Sequence, residues 1–244
     1  MPRPAADATD PLTLLRTVVR LVLAGLVALP TTLAFAFVDA REQEITECRA
    51  GEITTWADGI DRKAVAATLR FFYRHEGAPA WFDAPLVEAL VSRAVDAWVP
   101  CGVPVRLEKG TQAPDGAIIV QWSDAGARGN FGLAHLGERR LSLGPKAFAL
   151  LRERNPRHDA RLTLQMVISH EMGHFFGLMA HSRRCVDVLS YYHDGKGNRC
   201  FSRDPSIIGN YVEYRHGLPT ACDIARCRHA NGMPDPAAAA SQKR

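Results

Sequence analysis

Hydrophobic positions recur at helical spacing in two separate segments of the chain. Across residues 84–99 the apolar side chains fall on one face of a helix, which Pro100 and Gly102 end. Residues 162–176 carry the strongest helical pattern in the chain. The side chains available for burial there are Leu162, Leu164, Val167, Ile168 and Met172. The pattern predicts two long helices.

Shorter apolar runs between these helices indicate strands. Residues 64–73 begin with helix formers and end in a strand-like aromatic cluster, and residues 103–107 are typical of a short strand. Residues 117–122 predict a buried strand, whereas residues 133–143 alternate imperfectly, as an edge strand does. Together the segments predict an α+β fold with a small, mixed, twisted sheet and two long helices.

The composition changes after Gly177. The chain there is rich in Gly, Pro, Asp, Asn and Cys, which predicts a loop-rich C-terminal subdomain stabilised by disulfides. We expect an irregular lead-in at residues 37–61, the main domain at residues 62–232 and a disordered tail at residues 233–244.

The first 36 residues are typical of an export signal. Arginines precede an apolar run at residues 21–38, and Ala34-Phe35-Ala36 has the small-x-small pattern of a cleavage site. We therefore expect a signal peptide at residues 1–36 and a secreted or periplasmic protein. An uncleaved membrane anchor and a buried N-terminal helix remain alternatives.

All six cysteines follow the apolar run, and an even number in an exported chain indicates up to three disulfides. Fifteen pairings are possible. Closeness along the chain favours one set. The expected bonds are Cys185–Cys200, Cys222–Cys227 and Cys48–Cys101.

Length and charge narrow the classes of function. The 244 residues, 47% of them hydrophobic, suit one domain with a sizeable core. The net charge of +4 is mild, and the basic residues are scattered without interleaved aromatics, so we expect no nucleic-acid partner. The oligomeric state stays open, with a monomer favoured.

The run His170-Glu171-Met172-Gly173-His174 lies within the second predicted helix. Histidines four residues apart project from the same helix face. Neutral imidazole nitrogens bind zinc at about 2.0–2.1 Å, so the pair is suited to Zn²⁺. Glu171 lies beside the metal position, where it can act as a general base on a water that zinc activates.

A third ligand is expected after the helix. Gly177 can end the helix with a positive φ and turn the chain back, which brings His181 towards the metal. Other nearby residues could also serve as the third ligand. These alternatives are Asp187, His193 and Glu213.

The run HEMGHFFGLMAHS, from His170 to Ser182, resembles the metzincin signature HExxHxxGxxH and ends in His-Ser, as in the matrixin branch. The family has two residues between the glycine and the third histidine, whereas this chain has three. Val188-Leu189-Ser190-Tyr191 resembles the family's methionine turn, with Leu189 replacing the methionine as the apolar platform. The resemblance implies that His170, His174 and His181 bind zinc, that Glu171 is the base, and that Tyr191 donates a hydrogen bond to the oxyanion.

Looser resemblance extends over roughly residues 62–230 and implies a metzincin-like zincin catalytic domain. Residues 129–144 resemble the family stretch whose edge strand lines the substrate cleft. His135 matches a histidine that can bind a second zinc in matrixins, but its companion ligands are missing, so we expect an ordinary histidine. The sequence around Cys101 resembles the cysteine switch without its flanking arginine and aspartate, which favours a disulfide.

The sequence thus predicts a zinc-dependent endopeptidase that acts on protein or peptide substrates. A non-proteolytic metal-binding or adhesion module is an alternative, although binding alone does not need Glu171. An amidase that acts on cell-wall peptides would use the same chemistry and is a second alternative.

Overall fold

A computed structural model describes residues 40–210 and 212–234 of the chain. The predicted signal peptide or anchor lies outside the described residues, as does the tail from residue 235 onwards. None of the helices within the described ranges is long and apolar enough to span a membrane.

The described residues form six α-helices and five strands, with two short 3₁₀ turns. In chain order the elements are α1 (Ala40–Thr46), β1 (Leu69–Tyr73), α2 (Ala84–Trp98), β2 (Val105–Glu108), β3 (Ile118–Trp122), α3 (Asp124–Ala127), β4 (Gly132–His135), β5 (Arg140–Leu143), α4 (Pro145–Arg154), α5 (Ala160–Phe175) and α6 (Ala221–Ala230). The 3₁₀ turns are Val99–Cys101 and Pro205–Asn210.

The five strands make one mixed sheet in the order β2-β1-β3-β5-β4. The β1–β2, β1–β3 and β3–β5 pairs are parallel, and the β4–β5 pair is antiparallel. A mixed sheet with separate helices confirms the α+β class. It also leaves β4 at an edge of the sheet.

Helices α2 and α5 pack against each other. Asp83 caps α2 by accepting the N–H of Leu86, and Asp159 caps α5 by accepting the N–H of Arg161. The indole Nε1 of Trp98, at the end of α2, donates to the carbonyl of Ser169 in α5 at 3.1 Å. Helix α5 is buried on nearly every side after its first turn, so most of its polar residues lie inside the protein.

The hydrophobic core lies between this helix pair and the sheet. Phe71 of β1 meets Phe175 of α5 edge-to-face, with ring centroids 5.9 Å apart. Fully buried side chains come from both layers. They include Leu69, Val120 and Leu141 from the strands and Val91, Trp98 and Leu164 from the helices.

Several elements differ from the sequence prediction. The expected single edge strand at residues 133–143 is a hairpin of β4 and β5, because the chain reverses through a turn in which Arg139 has φ 50°. Helix α1 lies in the expected irregular lead-in, and α6 lies in the expected loop-rich region, where a capping box of Thr220 and Asp223 starts it. Helix α4, opened by Pro145, was not predicted.

The three disulfides are Cys48–Cys222, Cys101–Cys227 and Cys185–Cys200. The prediction for Cys185–Cys200 is confirmed, and the other two pairings were wrong. Cys222 and Cys227 both lie in α6. Five residues of helix rise about 7.5 Å, beyond the separation a disulfide spans. Three disulfides indicate an oxidising compartment.

Candidate metal centre

Helix α5 places the three residues of the HExxH run, and Gly177 turns the chain immediately after it. Gly177 has φ 95°, and a Cβ there would lie 1.9 Å from the carbonyl oxygen of Arg62. Its own carbonyl accepts the N–H of Arg62 at 2.9 Å. Only glycine permits both this conformation and this close approach. The turn then carries His181 back beside His170 and His174.

The three histidine rings surround one point. Their centroids are 5.1 Å apart for His170 and His181, 5.2 Å for His170 and His174, and 5.3 Å for His174 and His181. One nitrogen from each ring lies within 4.8 Å of the other two. Rings bound through nitrogen to one tetrahedral zinc ion, at about 2.0–2.1 Å per bond, have centroids roughly 5 Å apart. The arrangement therefore fits a zinc ion.

Hydrogen bonds at Nδ1 define the tautomer of each ring. Nδ1 of His170 lies 2.7 Å from the carbonyl oxygen of Val188, and Nδ1 of His174 lies 2.7 Å from that of Leu178. Nδ1 of His181 lies 2.7 Å from Oδ2 of Asp58. Carbonyl and carboxylate oxygens only accept, so each Nδ1 carries the hydrogen and each Nε2 keeps its lone pair.

Burial keeps the rings in the neutral form that binds metals. Removal from solvent lowers the pKa of His170 well below its ordinary value and lowers that of His174 to about 4. Burial also lowers the pKa of His181, although Asp58 opposes the shift. At neutral pH all three nitrogen donors are ready for a cation without losing a proton first.

The alternative third ligands lie elsewhere. Asp187 is buried and accepts hydrogen bonds from Arg184 and Thr220, while the carboxylate of Glu213 pairs with Arg215. His193 is exposed, in a bridge with residue 199. Among the described residues, the other metal-capable cluster is Cys48, Cys222 and Glu52, whose cysteines are bonded to each other.

Glu171 lies next to the ring cluster and is buried. Its Oε2 accepts the N–H of Ala134 in β4 at 2.8 Å. The strand lies so close to α5 that a Cβ on Gly132 would be 2.4 Å from Val167 and 2.9 Å from Glu171. Burial raises the pKa of Glu171 to about 7, while the bond from Ala134 and the guanidinium of Arg215 oppose the rise.

A cleft of about 620 Å³ opens over these residues. Edge strand β4 forms one side, as predicted from residues 129–144, and Met166 and Val167 supply apolar lining. Arg215 adds a cationic group, which Glu213 holds through two hydrogen bonds at 2.7 and 3.0 Å. A cleft with an apolar lining and few polar groups is typical of a ligand site.

Leu189 lies beneath the helix that carries the histidines. It is fully buried, and a Cβ added to Gly173 would lie 2.6 Å from its Cδ2 and 3.0 Å from Trp98. The carbonyl of its neighbour Val188 orients His170. The turn thus has the apolar contact predicted for Leu189.

Tyr191 stands beside the third histidine. Its ring centroid is 4.9 Å from that of His181, and its hydroxyl donates to Oδ2 of Asp58 at 3.0 Å. The ring of Trp56 also stacks on Tyr191, with the ring centroids 5.4 Å apart. The predicted role of Tyr191 at an oxyanion stays a prediction.

His135 has a structural role. Its Nε2 lies 2.8 Å from the carbonyl oxygen of Gly126, which only accepts, so the ring donates to helix α3. It belongs to neither metal-capable cluster found among the described residues. That His135 is an ordinary histidine stays a prediction.

Sequence reasoning missed Asp58, Asp61 and Arg215. The two aspartates lie in a segment without periodicity, more than a hundred residues before the histidine they support. Only the three-residue spacing of the two aspartates marked them. Arg215 is one arginine among many, and its neighbour Glu213 drew attention as a possible ligand instead.

Comparisons with known proteins give little. No protein-family model matches the chain, and no curated protein matches it significantly. A solved structure titled "GM1 bound form of the ECX AB5 holotoxin" contains a chain 13% identical, with a TM-score of 0.41. The match covers 71% of this chain and 86% of that chain. A likeness this weak carries no argument about fold or function.

Proposed function

We propose that this protein is a zinc-dependent endopeptidase of the metzincin type, similar to the matrixins. The observation that carries the proposal is the convergence of three neutral histidine rings, His170, His174 and His181, beside the buried carboxylate of Glu171. Three protein ligands with an adjacent acid are typical of catalytic zinc sites.

Zinc held by these histidines would supply Lewis acidity and make a water molecule more acidic. Glu171 takes the proton from the attacking water and delivers it to the leaving amine. Burial raises the pKa of Glu171 to about 7 and so disfavours the charged form. A nearby cation favours the carboxylate, the form that accepts a proton.

The edge strand supports a polypeptide substrate. Gly144 donates its N–H to the carbonyl of Phe131, and the antiparallel ladder continues at alternate residues. The backbone groups of Gly132 and the carbonyl of Ala134 therefore face away from β5, towards the cleft, while the N–H of Ala134 is bonded to Glu171. An extended peptide can align along such an edge through backbone hydrogen bonds, which suits cleavage within a chain.

The other functions are less well supported. A binding or adhesion module would not require Glu171 to be buried beside the ligands, because a buried carboxylate costs free energy without aiding affinity for a protein surface. A cell-wall amidase would use the same groups. We propose a protein or peptide substrate because the strand edge fits an extended backbone. The three disulfides support secretion or a periplasmic location.

Substitution of Glu171 tests the mechanism. We expect the wild-type protein to contain about one zinc per chain and to cleave an unfolded protein substrate. Glu171→Gln should keep the metal and lose at least about 100-fold in kcat, because general-base catalysis contributes 10²–10⁴-fold. Elemental analysis and mass spectrometry of the cleaved substrate measure the two effects.

The matched control is Glu138→Gln, an exposed turn residue outside the cleft. It should leave both zinc content and cleavage unchanged. Full hydrolysis by Glu171→Gln would exclude Glu171 as the base. Cleavage of peptidoglycan fragments but not of proteins would instead support the amidase.

A further inference from the structure

Residues 54–61 precede the expected start of the catalytic domain, yet they run beside the stretch that carries His181. Trp56 donates its N–H to the carbonyl of His181 at 3.0 Å, and Arg183 donates to the carbonyl of Thr54 at 2.9 Å. Thr55 and Ser182 form an antiparallel bridge between them. This 54–61 segment is therefore bonded along the backbone to the third ligand's own stretch.

The side chain of Asp58 binds the ligand itself. Its Oδ1 accepts the backbone N–H of His181 at 2.9 Å, and its Oδ2 accepts the Nδ1–H of the same residue at 2.7 Å. Oδ2 also accepts the hydroxyl of Tyr191 at 3.0 Å. One carboxylate thus holds the main chain of His181, the orientation of its ring and the neighbouring tyrosine.

Asp61 acts on the same turn without touching the ring. Its Oδ1 accepts the N–H groups of Met179 and Ala180, at 2.8 and 3.1 Å, in the stretch between Gly177 and His181. Arg226 of α6 holds its other oxygen at 2.6 Å. Asp61 therefore holds the backbone of the longer turn before His181, and Asp58 holds His181 itself.

We propose that the 54–61 segment is an integral part of the metal centre and that Asp58 is the positioning residue for His181. The proposal rests on the proposed function only in taking the three histidines as metal ligands. A carboxylate that accepts the Nδ1–H fixes the ring tautomer and makes Nε2 a better donor to the metal. The segment therefore supports the site, whereas an inhibitory propeptide would block it.

The test measures metal binding by the full chain with Asp58→Asn. The amide keeps an oxygen for the backbone N–H of His181, but its NH₂ group faces Nδ1–H and accepts nothing. We expect zinc affinity, measured by competition with a chromophoric chelator, to fall by about 10–100-fold. At saturating Co²⁺ the visible absorption bands should shift, because the third ligand is no longer held in the same orientation.

Asp115→Asn is the matched control, because Asp115 is exposed and lies outside the cleft and the 54–61 segment. It should bind zinc as the wild type does and give the wild-type cobalt spectrum. Asp58→Glu, which keeps a carboxylate, should recover part of the lost affinity. Circular dichroism before titration confirms that each variant is folded.

Three results would overturn the proposal. One is an Asp58→Asn protein with unchanged zinc affinity and cobalt spectrum, and another is an equal loss of zinc affinity in the Asp58 and Asp115 variants, which would indicate an effect unrelated to the contact with His181. The third is a rise in hydrolysis in Asp58→Asn, the behaviour of a loosened inhibitory segment. A wild-type protein that binds no zinc would instead overturn the proposed metal centre. Failure of the role of Asp58 and failure of the proposed function are therefore distinguishable.

Discussion

Each histidine of the site is oriented by a different part of the chain. The carbonyl of Val188 holds His170, the carbonyl of Leu178 holds His174, and the carboxylate of Asp58 holds His181. Hydrogen bonds to the second ring nitrogen fix the tautomer and the ring plane of a metal ligand. At the scale of single residues, the geometry of the site therefore depends on acceptors outside the HExxH helix.

The choice of His181 as the third ligand can be tested by alanine substitution. Loss of an outer hydrogen-bond partner weakens metal binding by 10–100-fold, so His181→Ala should weaken zinc binding by more than about 100-fold. His193→Ala is the control, because His193 is exposed and outside the cluster. Zinc content after dialysis measures both effects. A larger loss of zinc in His193→Ala than in His181→Ala would show that His193 is the ligand.

At the scale of elements, the end of α5 determines where His181 lies. Helix α5 ends at Phe175, and Gly177 then turns the chain with a positive φ of 95°, in close contact with the backbone of Arg62. The N–H of Leu178 then bonds back to the carbonyl of Gly173 at 3.2 Å, which closes the turn. This turn brings the carbonyl oxygen of Leu178 within hydrogen-bonding distance of Nδ1 of His174.

Substitution of Gly177 and of Gly195 separates the cost of backbone strain from the cost of a steric clash. Gly177→Ala should destabilise the fold by about 1–3 kcal/mol more than Gly195→Ala, because both variants carry backbone strain but only the first is also overpacked. Gly195 also has a positive φ, 74°, but nothing lies within 4 Å of a Cβ there. Urea unfolding measures both variants, and equal losses would show that the contact with Arg62 is unimportant.

At the scale of the molecule, disulfides join the N-terminal part to the C-terminal helix. Cys48 and Cys101 are both bonded to α6, which lies far along the chain. The Cys48–Cys222 bond spans 174 residues, whereas Cys185–Cys200 spans 15. The first bond thus anchors the stretch that leads to Asp58, and the second closes a local loop.

Paired serine variants compare the two bonds. A disulfide that closes a longer loop contributes more to the free energy of unfolding. Because Cys101–Cys227 shortens the loop that Cys48–Cys222 closes, loss of Cys48–Cys222 should cost only about 1 kcal/mol more than loss of Cys185–Cys200. The first variant should also bind zinc more weakly, since the 54–61 segment loses its anchor. Thermal unfolding with and without a chelator measures both effects. Equal stability and equal zinc affinity of the two variants would contradict the anchoring role of the Cys48–Cys222 bond.

The local pattern of apolar residues was enough to predict much of the fold. Helix α2 at Ala84–Trp98 and helix α5 at Ala160–Phe175 lie where the periodicity of apolar residues predicted them, and β3 lies within the predicted buried run. The hairpin of β4 and β5 was missed because its turn depends on one residue with a positive φ, Arg139, which sequence patterns do not require.

The sequence alone determined the spacing that puts His170, Glu171 and His174 together, because four residues make about one helical turn whatever surrounds the helix. It also determined a glycine at the helix end. Only the tertiary structure decided that His181 joins them and that Asp58 holds it, since both depend on how distant segments pack. The disulfide partners of Cys48 and Cys101 were decided in the same way, because proximity in space, and not along the chain, sets a long-range bond.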